Sequence, residues 1–204
     1  MSIVPERIAT STRQALAPVA RAMLRIGLSA NSVTVIGFLL TVAGAALLAF
    51  AQPLPALVVL LVGTLCDTLD GQIARAAGGG TRFGAFLDST LDRLSDAALA
   101  VAAVWLGVTA SDGLLFWSAI LLLVSSSLVS YIRAKAESLG LGATVGLAPR
   151  EARIALYMLG VAAWAATTLL SFFAAAVVAA ALLATVTVIQ RLAHMAGALS
   201  ERGS

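Results

Sequence analysis

The chain has 204 residues, of which 60% are hydrophobic and only 11% charged, with a net charge of +3. Soluble globules carry charge on about a quarter of their residues, so this composition excludes that class and fits a single-domain integral membrane protein. One cysteine (Cys66) and one histidine (His194) exclude an intrachain disulfide framework, a CxxC metal site and a histidine metal cluster.

Residues 1–28 read as a juxtamembrane amphipathic helix. Arg7, Arg13, Arg21 and Arg25 alternate with Ile8, Ala15, Leu16, Val19, Met23 and Ile26 at roughly helical spacing. The arginines are spread too evenly for a signal peptide, which needs a compact apolar stretch. Residues 29–194 then divide into six apolar helices, each near the ~20 residues a bilayer requires. They are expected near 32–51, 55–77, 82–108, 114–138, 150–170 and 171–194, followed by a tail over 195–204. The breaks are Gln52-Pro53-Leu54-Pro55, Gly78-Gly79-Gly80, Ser111-Asp112-Gly113 and Gly140-Leu141-Gly142. No strong breaker separates the fifth helix from the sixth. The fold class is therefore all-α: a six-helix membrane bundle with an interfacial helix, in one domain spanning 1–204.

The basic residues orient this bundle. With six spans, both termini and the 2–3 and 4–5 loops share one side. Arg7, Arg13, Arg21, Arg25, Arg75, Arg82, Arg133, Lys135, Arg150, Arg153, Arg191 and Arg202 fall on that side or at helix ends facing it. Arg93 alone lies along a helix, and the opposite loops carry no basic residue. The positive-inside rule puts both termini in the cytoplasm of a multi-pass cell-membrane protein.

The stretch DTLDGQIARAAGGGTRFGAFLDSTLDR, residues 67–93, breaks the apolar pattern with four aspartates. A carboxylate at mid-membrane costs roughly 2.5–3.5 kcal/mol on insertion scales, so four left unpaired would cost on the order of 10 kcal/mol. Asp67 and Asp70 are i and i+3 on the second helix, and Asp88 and Asp92 are i and i+4 on the third. A short glycine turn makes these helices antiparallel neighbours, so the acids converge near the cytoplasmic face. Oxygen-only ligands select hard cations, Mg²⁺ or Mn²⁺, and four acids suffice for two ions, an arrangement typical of phosphoryl transfer. Gly71, Ala74 and Gly84 leave room beside the acids, through small size or close helix packing. Arg75, Thr81 and the glycines offer donors to phosphates.

The pattern Asp67-x-x-Asp70-Gly71-x-x-Ala74-Arg75, eight residues, Gly84, three residues, Asp88, three residues, Asp92 matches, without departure, the signature of the CDP-alcohol phosphotransferase family. The helix layout extends the resemblance over the whole chain. It implies transfer of a phosphatidyl or related group from a CDP-alcohol to a second alcohol, with release of CMP. It also implies metal binding by Asp67, Asp70 and Asp88, with Asp92 near the second metal and acting as general base. Gly71, Arg75 and Thr81 would contact the CDP moiety, with Ala74 and Gly84 beside it. Asn31, Ser32 and Thr34 resemble the family's N-terminal nucleotide-contacting stretch, with Ala30 where a proline often stands. A homodimer is implied as well.

The acceptor rests on a second cluster: Arg133 and Lys135 at the end of the fourth helix, Arg153 at the start of the fifth, and Arg191 at the end of the sixth. These either form a phosphate pocket or are ordinary flanking charge. The stretches GGGTRFGAFLDSTLDRLSD, SYIRAKAESLGL and PREAR resemble the family's actinobacterial phosphatidylinositol-phosphate synthases. That resemblance implies CDP-diacylglycerol as donor, inositol 1-phosphate as acceptor, and those four basic residues as its phosphate site. Glycerol 3-phosphate, giving a phosphatidylglycerophosphate synthase, is the alternative acceptor. A divalent-cation transporter is a more remote one; it accounts for the acids but not for Arg75 or the basic cluster. Membrane lipids are expected partners, and nucleic acid is not.

Overall fold

The computed structural model describes residues 18–142 and 145–203, with side chains up to residue 200. The chain is all-helical. The first helix, α1, covers residues 18–25 of the described part; the remainder of the expected amphipathic segment, residues 1–17, lies outside the described residues. Then follow α2 (Ala30–Ala49), α3 (Pro53–Ala76), α4 (Arg82–Thr109), α5 (Gly113–Ser138), α6 (Arg150–Thr167) and α7 (Leu170–Gly203).

Local chemistry sets most boundaries. Ser29, Thr81 and Asp112 are N-caps whose side chains accept from Ser32 N, Gly84 N and Leu115 N. Pro53 opens α3, where its missing N–H costs nothing. The six principal helices form three tight hairpins, and each turn holds one residue at positive φ: Ala51, Ser111 and Thr168. Thr168, at φ 62°, supplies the left-handed cap that ends α6, a break the sequence signals only weakly. The last helix overruns its expected end at His194 and continues to Gly203, because no Gly–Pro or similar breaker follows.

The main contacts close a ring, α2–α3–α6–α7–α5–α4 and back to α2. Small residues set the close approaches. A Cβ on Gly63 would lie 3.2 Å from the Gly37 carbonyl, and one on Gly107 only 2.6 Å from Phe116 N. At the hairpin-turn end, Leu48, Leu60, Leu106, Leu115, Tyr157, Trp164 and Phe173 join one apolar core. Elsewhere Ala20 of α1 packs on Val33, Leu69 and Ile73, and Val129 and Ile132 of α5 pack with Val188 and Met195 of α7. The largest apolar core thus lies toward the hairpin turns, and two smaller clusters flank the opposite end.

Among the described residues, four helices are long and apolar enough to cross a bilayer: α2, α3, α5 and α7 as far as Ser200. Helices α4 and α6 fall outside that set. They carry more charge: Arg82, Asp88, Asp92, Arg93 and Asp96 on α4, and Arg150, Glu151 and Arg153 on α6. Four apolar spans make this an integral membrane protein.

Candidate active site

The close seam between α2 and α3 at Gly37 and Gly63 brings Thr34, one turn before Gly37, onto Asp70. Thr34 Oγ1 donates to Asp70 Oδ2 at 2.6 Å and also to Ala30 O at 3.0 Å. Asp70 is buried, so this hydroxyl substitutes for water on one carboxylate oxygen. Helix α4 carries Asp88, Asp92 and Asp96 as one stripe at i, i+4 and i+8. Packing α4 beside α2 brings Asp88 to the pair on α3. One oxygen each from Asp67, Asp70 and Asp88 then lie within 4.8 Å of one another. Three carboxylates at that separation supply the oxygen ligands that a hard divalent cation prefers.

Asp92 does not join those three. Its Oδ1 lies 2.9 Å from Arg150 NH1. Arg150 opens α6, and sequence reasoning placed it only among the flanking charges. In the structure it is the cation at the centre of the acids. NH1 also lies 3.4 Å from Asp67 Oδ2, and Nε lies 3.1 Å from Asp96 Oδ1. Asp96 meets both Arg150 and Arg153. Arg93 donates instead to the Ser89 carbonyl on its own helix. The available signal was PREAR itself, two arginines at i and i+3 opening a helix, whose partners only the ring closure could identify.

Two cavities flank the acids. One, of about 440 Å³, lies between the starts of α2 and α4 and the end of α3. Its walls include Asn31, Thr34, Asp70, Gly71, Ala74, Thr81, Gly84 and Asp88. Six of the eight predicted donor-side residues therefore meet at one cavity. The two glycines differ: a Cβ on Gly71 would meet only Arg75 of its own helix, whereas one on Gly84 would press to 2.9 Å on Asn31 Oδ1 of α2, so Gly84 also admits the close approach of that helix. Thr81 also caps α4, through Gly84 N at 2.9 Å. Ser32 is not on that wall; it bonds Ser29 Oγ at 2.8 Å in the α2 cap. Arg75 is not on the wall either. It lies back over Gly71, where an added Cβ would stand 3.6 Å from both terminal nitrogens. The second cavity, about 260 Å³, has Asp67, Asp92 and Arg150 at its polar end. Its other walls include Phe38, Leu60, Leu61, Leu91, Ile154 and Met158.

The four basic residues proposed for the acceptor separate into two environments. Arg153 and Arg191 are buried. Arg191 donates to Val145 O at 3.0 Å and Val129 O at 2.6 Å. Arg153 donates to Ala148 O at 2.9 Å. Thr187 and Gln190 of α7 accept from Ala148 N and Leu147 N, so the α5–α6 loop is pinned beside both arginines. Arg133 and Lys135 are exposed, and Arg133 is paired with Glu137 at 2.9 Å.

The chain is similar to known proteins in both sequence and fold. Residues 28–196 match the model of the CDP-alcohol phosphatidyltransferase family, and the chain belongs to that family. The phosphatidylinositol phosphate synthase of Mycobacterium marinum is 41% identical over 145 residues, which cover 70% of this chain and 62% of that relative. The chain thus spans somewhat less than two thirds of that relative's length. The crystal structure of Mycobacterium tuberculosis phosphatidylinositol phosphate synthase (PgsA1) with CDP-DAG bound is 34% identical, with a TM-score of 0.82 over 88% of this chain and 92% of that one. The same enzyme in complex with manganese and citrate gives a TM-score of 0.81 at 34% identity, over 87% of each chain.

Proposed function

We propose that this enzyme transfers the phosphatidyl group of CDP-diacylglycerol to inositol 1-phosphate, giving phosphatidylinositol phosphate and CMP in phospholipid biosynthesis. The observation that carries the reading is the meeting of Asp67, Asp70 and Asp88 at a cavity walled by Asn31, Gly71, Ala74, Thr81 and Gly84. It is supported by the names of the relatives, which are inositol phosphate synthases, and by the CDP-DAG in the mycobacterial neighbour.

In this reading the cytidine diphosphate occupies the larger cavity, with Thr81 on its wall as a donor to its phosphates and Arg75 as a second donor once it swings in from over Gly71. The acyl chains leave toward lipid. Asp67, Asp70 and Asp88 would hold Mg²⁺ or Mn²⁺, two ions in all, with Asp92 beside the second. Such cations, when bound, draw off charge that develops on phosphoryl oxygens. Thr34 fixes the Asp70 carboxylate, and Asp92 accepts the proton of the acceptor hydroxyl. That oxygen attacks the lipid-side phosphorus, its bond to the bridging oxygen breaks, and CMP leaves with the electron pair. Arg153 and Arg191, with Arg133 and Lys135 toward solvent, form the acceptor phosphate site.

All six principal helices span the membrane in this proposal, α4 and α6 being compensated by their mutual ion pairs, with α1 at the interface. Both termini and the site face the cytoplasm, following the basic residues. The enzyme acts as a homodimer. The test is an acceptor panel: protein in nanodiscs, CDP-diacylglycerol and Mg²⁺, offered inositol 1-phosphate, inositol, glycerol 3-phosphate and serine. CMP release with inositol 1-phosphate alone is expected. Release with glycerol 3-phosphate instead replaces the acceptor, and release with none refutes the reaction.

A further inference from the structure

Arg150 has no part in the reaction as described above, yet it touches more of the acid stripe than any other described cation. From these contacts, and resting on the reading of Asp92 as general base, we infer that Arg150 is a positioning residue: oriented by Asp96, it holds the Asp92 carboxylate in place for the acceptor hydroxyl.

A carboxylate on a lone Asp χ2 swings broadly, and a base must sit within hydrogen-bond reach of its proton. Arg150 removes that freedom. Its guanidinium is planar, and it is fixed by hydrogen bonds from Nε to Asp96 Oδ1 at 3.1 Å and from NH1 to Asp67 Oδ2 at 3.4 Å, which set NH1 in ion-pair contact with Asp92 Oδ1 at 2.9 Å. Asp96 is in turn held by Arg153 NH2 at 3.5 Å, and Arg153 by the Ala148 carbonyl. Ala148 N is bonded to Thr187 Oγ1 at 3.1 Å. A continuous chain of polar contacts therefore runs from α7 through the loop and the first turn of α6 to Asp92. The same chain passes through Arg153, so acceptor binding and base placement share one support.

A role as a mere helix clip accounts for less. Helix α6 is already docked without Arg150. Tyr157 donates to Leu99 O at 2.7 Å across to α4, and Gly160 admits α7 so closely that an added Cβ would meet Ala176 Cβ at 2.5 Å. Arg150 also lines the smaller cavity together with Asp67 and Asp92, where a clip would have no reason to be.

The test uses the intact chain in nanodiscs, with whichever acceptor releases CMP from the wild type. Steady-state constants for both substrates and equilibrium binding of CDP-diacylglycerol are measured for Arg150→Ala, Arg150→Lys, Asp96→Asn and Asp92→Asn. Because an ångström of misplacement can cost about 100-fold, Arg150→Ala should lower kcat by about that factor with donor KM and donor binding within about threefold. Arg150→Lys, which keeps the charge but loses the fork, should recover about tenfold of the loss. An unchanged kcat in Arg150→Ala overturns the inference, as does a joint loss of donor binding and kcat that Lys does not relieve. If Arg150→Ala does not fold, Asp96→Asn decides: a fall of about tenfold in kcat at constant donor KM supports the inference, and an unchanged kcat ends it. Turnover retained by Asp92→Asn, or no CMP release from the wild type, refutes the underlying reading and the inference together. An inactive Asp92→Asn beside a fully active Arg150→Ala removes the inference alone.

Discussion

Replacing Thr34 by Val removes one hydroxyl at nearly constant volume. The cost can be worked from the contacts. Thr34 Oγ1 donates to Asp70 Oδ2 at 2.6 Å, and Asp70 is only 7% exposed, so the bond is largely shielded from solvent. A hydrogen bond to a charged group contributes roughly 1.5–3 kcal/mol. Asp70 belongs to the three-acid cluster, so that energy should appear in cation affinity as well as in stability. Loss of such a supporting bond typically weakens metal binding by about 10- to 100-fold. The assay is Mn²⁺ titration of purified protein in nanodiscs, with bound and free ion separated by electron paramagnetic resonance, beside a thermal melt. Thr34→Val is expected to bind Mn²⁺ at least about tenfold more weakly while melting cooperatively. A Mn²⁺ affinity equal to wild type in a normally folded Thr34→Val would refute the reasoning, because Asp70 would then need no such support.

Cation removal should destabilise the fold: saturation at a hundred times Kd adds about 2.7 kcal/mol by mass action, so chelation should lower the melting temperature and Asp88→Asn should abolish the difference. Gly107→Ala places a Cβ 2.6 Å from Phe116 N, a backbone atom that cannot step aside. Overpacking of this kind costs about 1–3 kcal/mol, readable as a lower melting temperature with unchanged donor KM. Arg191→Ala leaves two carbonyls without their donor and should cost about 2–4 kcal/mol and raise acceptor KM, followed by melting and by kinetics. Arg133, exposed and paired with its helix neighbour Glu137, should change stability by less than about 0.5 kcal/mol when replaced by Ala.

Much of the fold was legible along the chain because its rules are local. Pro53, the Gly78–Gly80 run and the caps Thr81 and Asp112 stop and start helices through their own backbone chemistry, and the observed boundaries of α3, α4 and α5 follow them to within about two residues. The α6–α7 break was faint because it depends on one left-handed threonine, a conformation that sequence does not announce. The acids were legible for another reason. Asp67 with Asp70, and Asp88 with Asp92, lie on common helix faces by spacing alone, and a charged group in an apolar span demands compensation.

How those charges are compensated is a long-range question. Spacing puts Asp88, Asp92 and Asp96 in one stripe, but only the packing of α4 against α2 assigns Asp88 to the cation cluster and leaves Asp92 to Arg150. Fifty or more residues separate Arg150 and Arg153 from the acids they meet on α4 and α3, and Arg191 likewise finds its carbonyl partners, Val129 and Val145, far from it along the chain. The sequence by itself determined a helical membrane protein with a convergent carboxylate motif, because helical period, hydropathy and breakers act within a few residues. The tertiary structure alone decided which acids face one another, which arginine neutralises them and which donor-side residues share a cavity, because those depend on how the ring of helices closes.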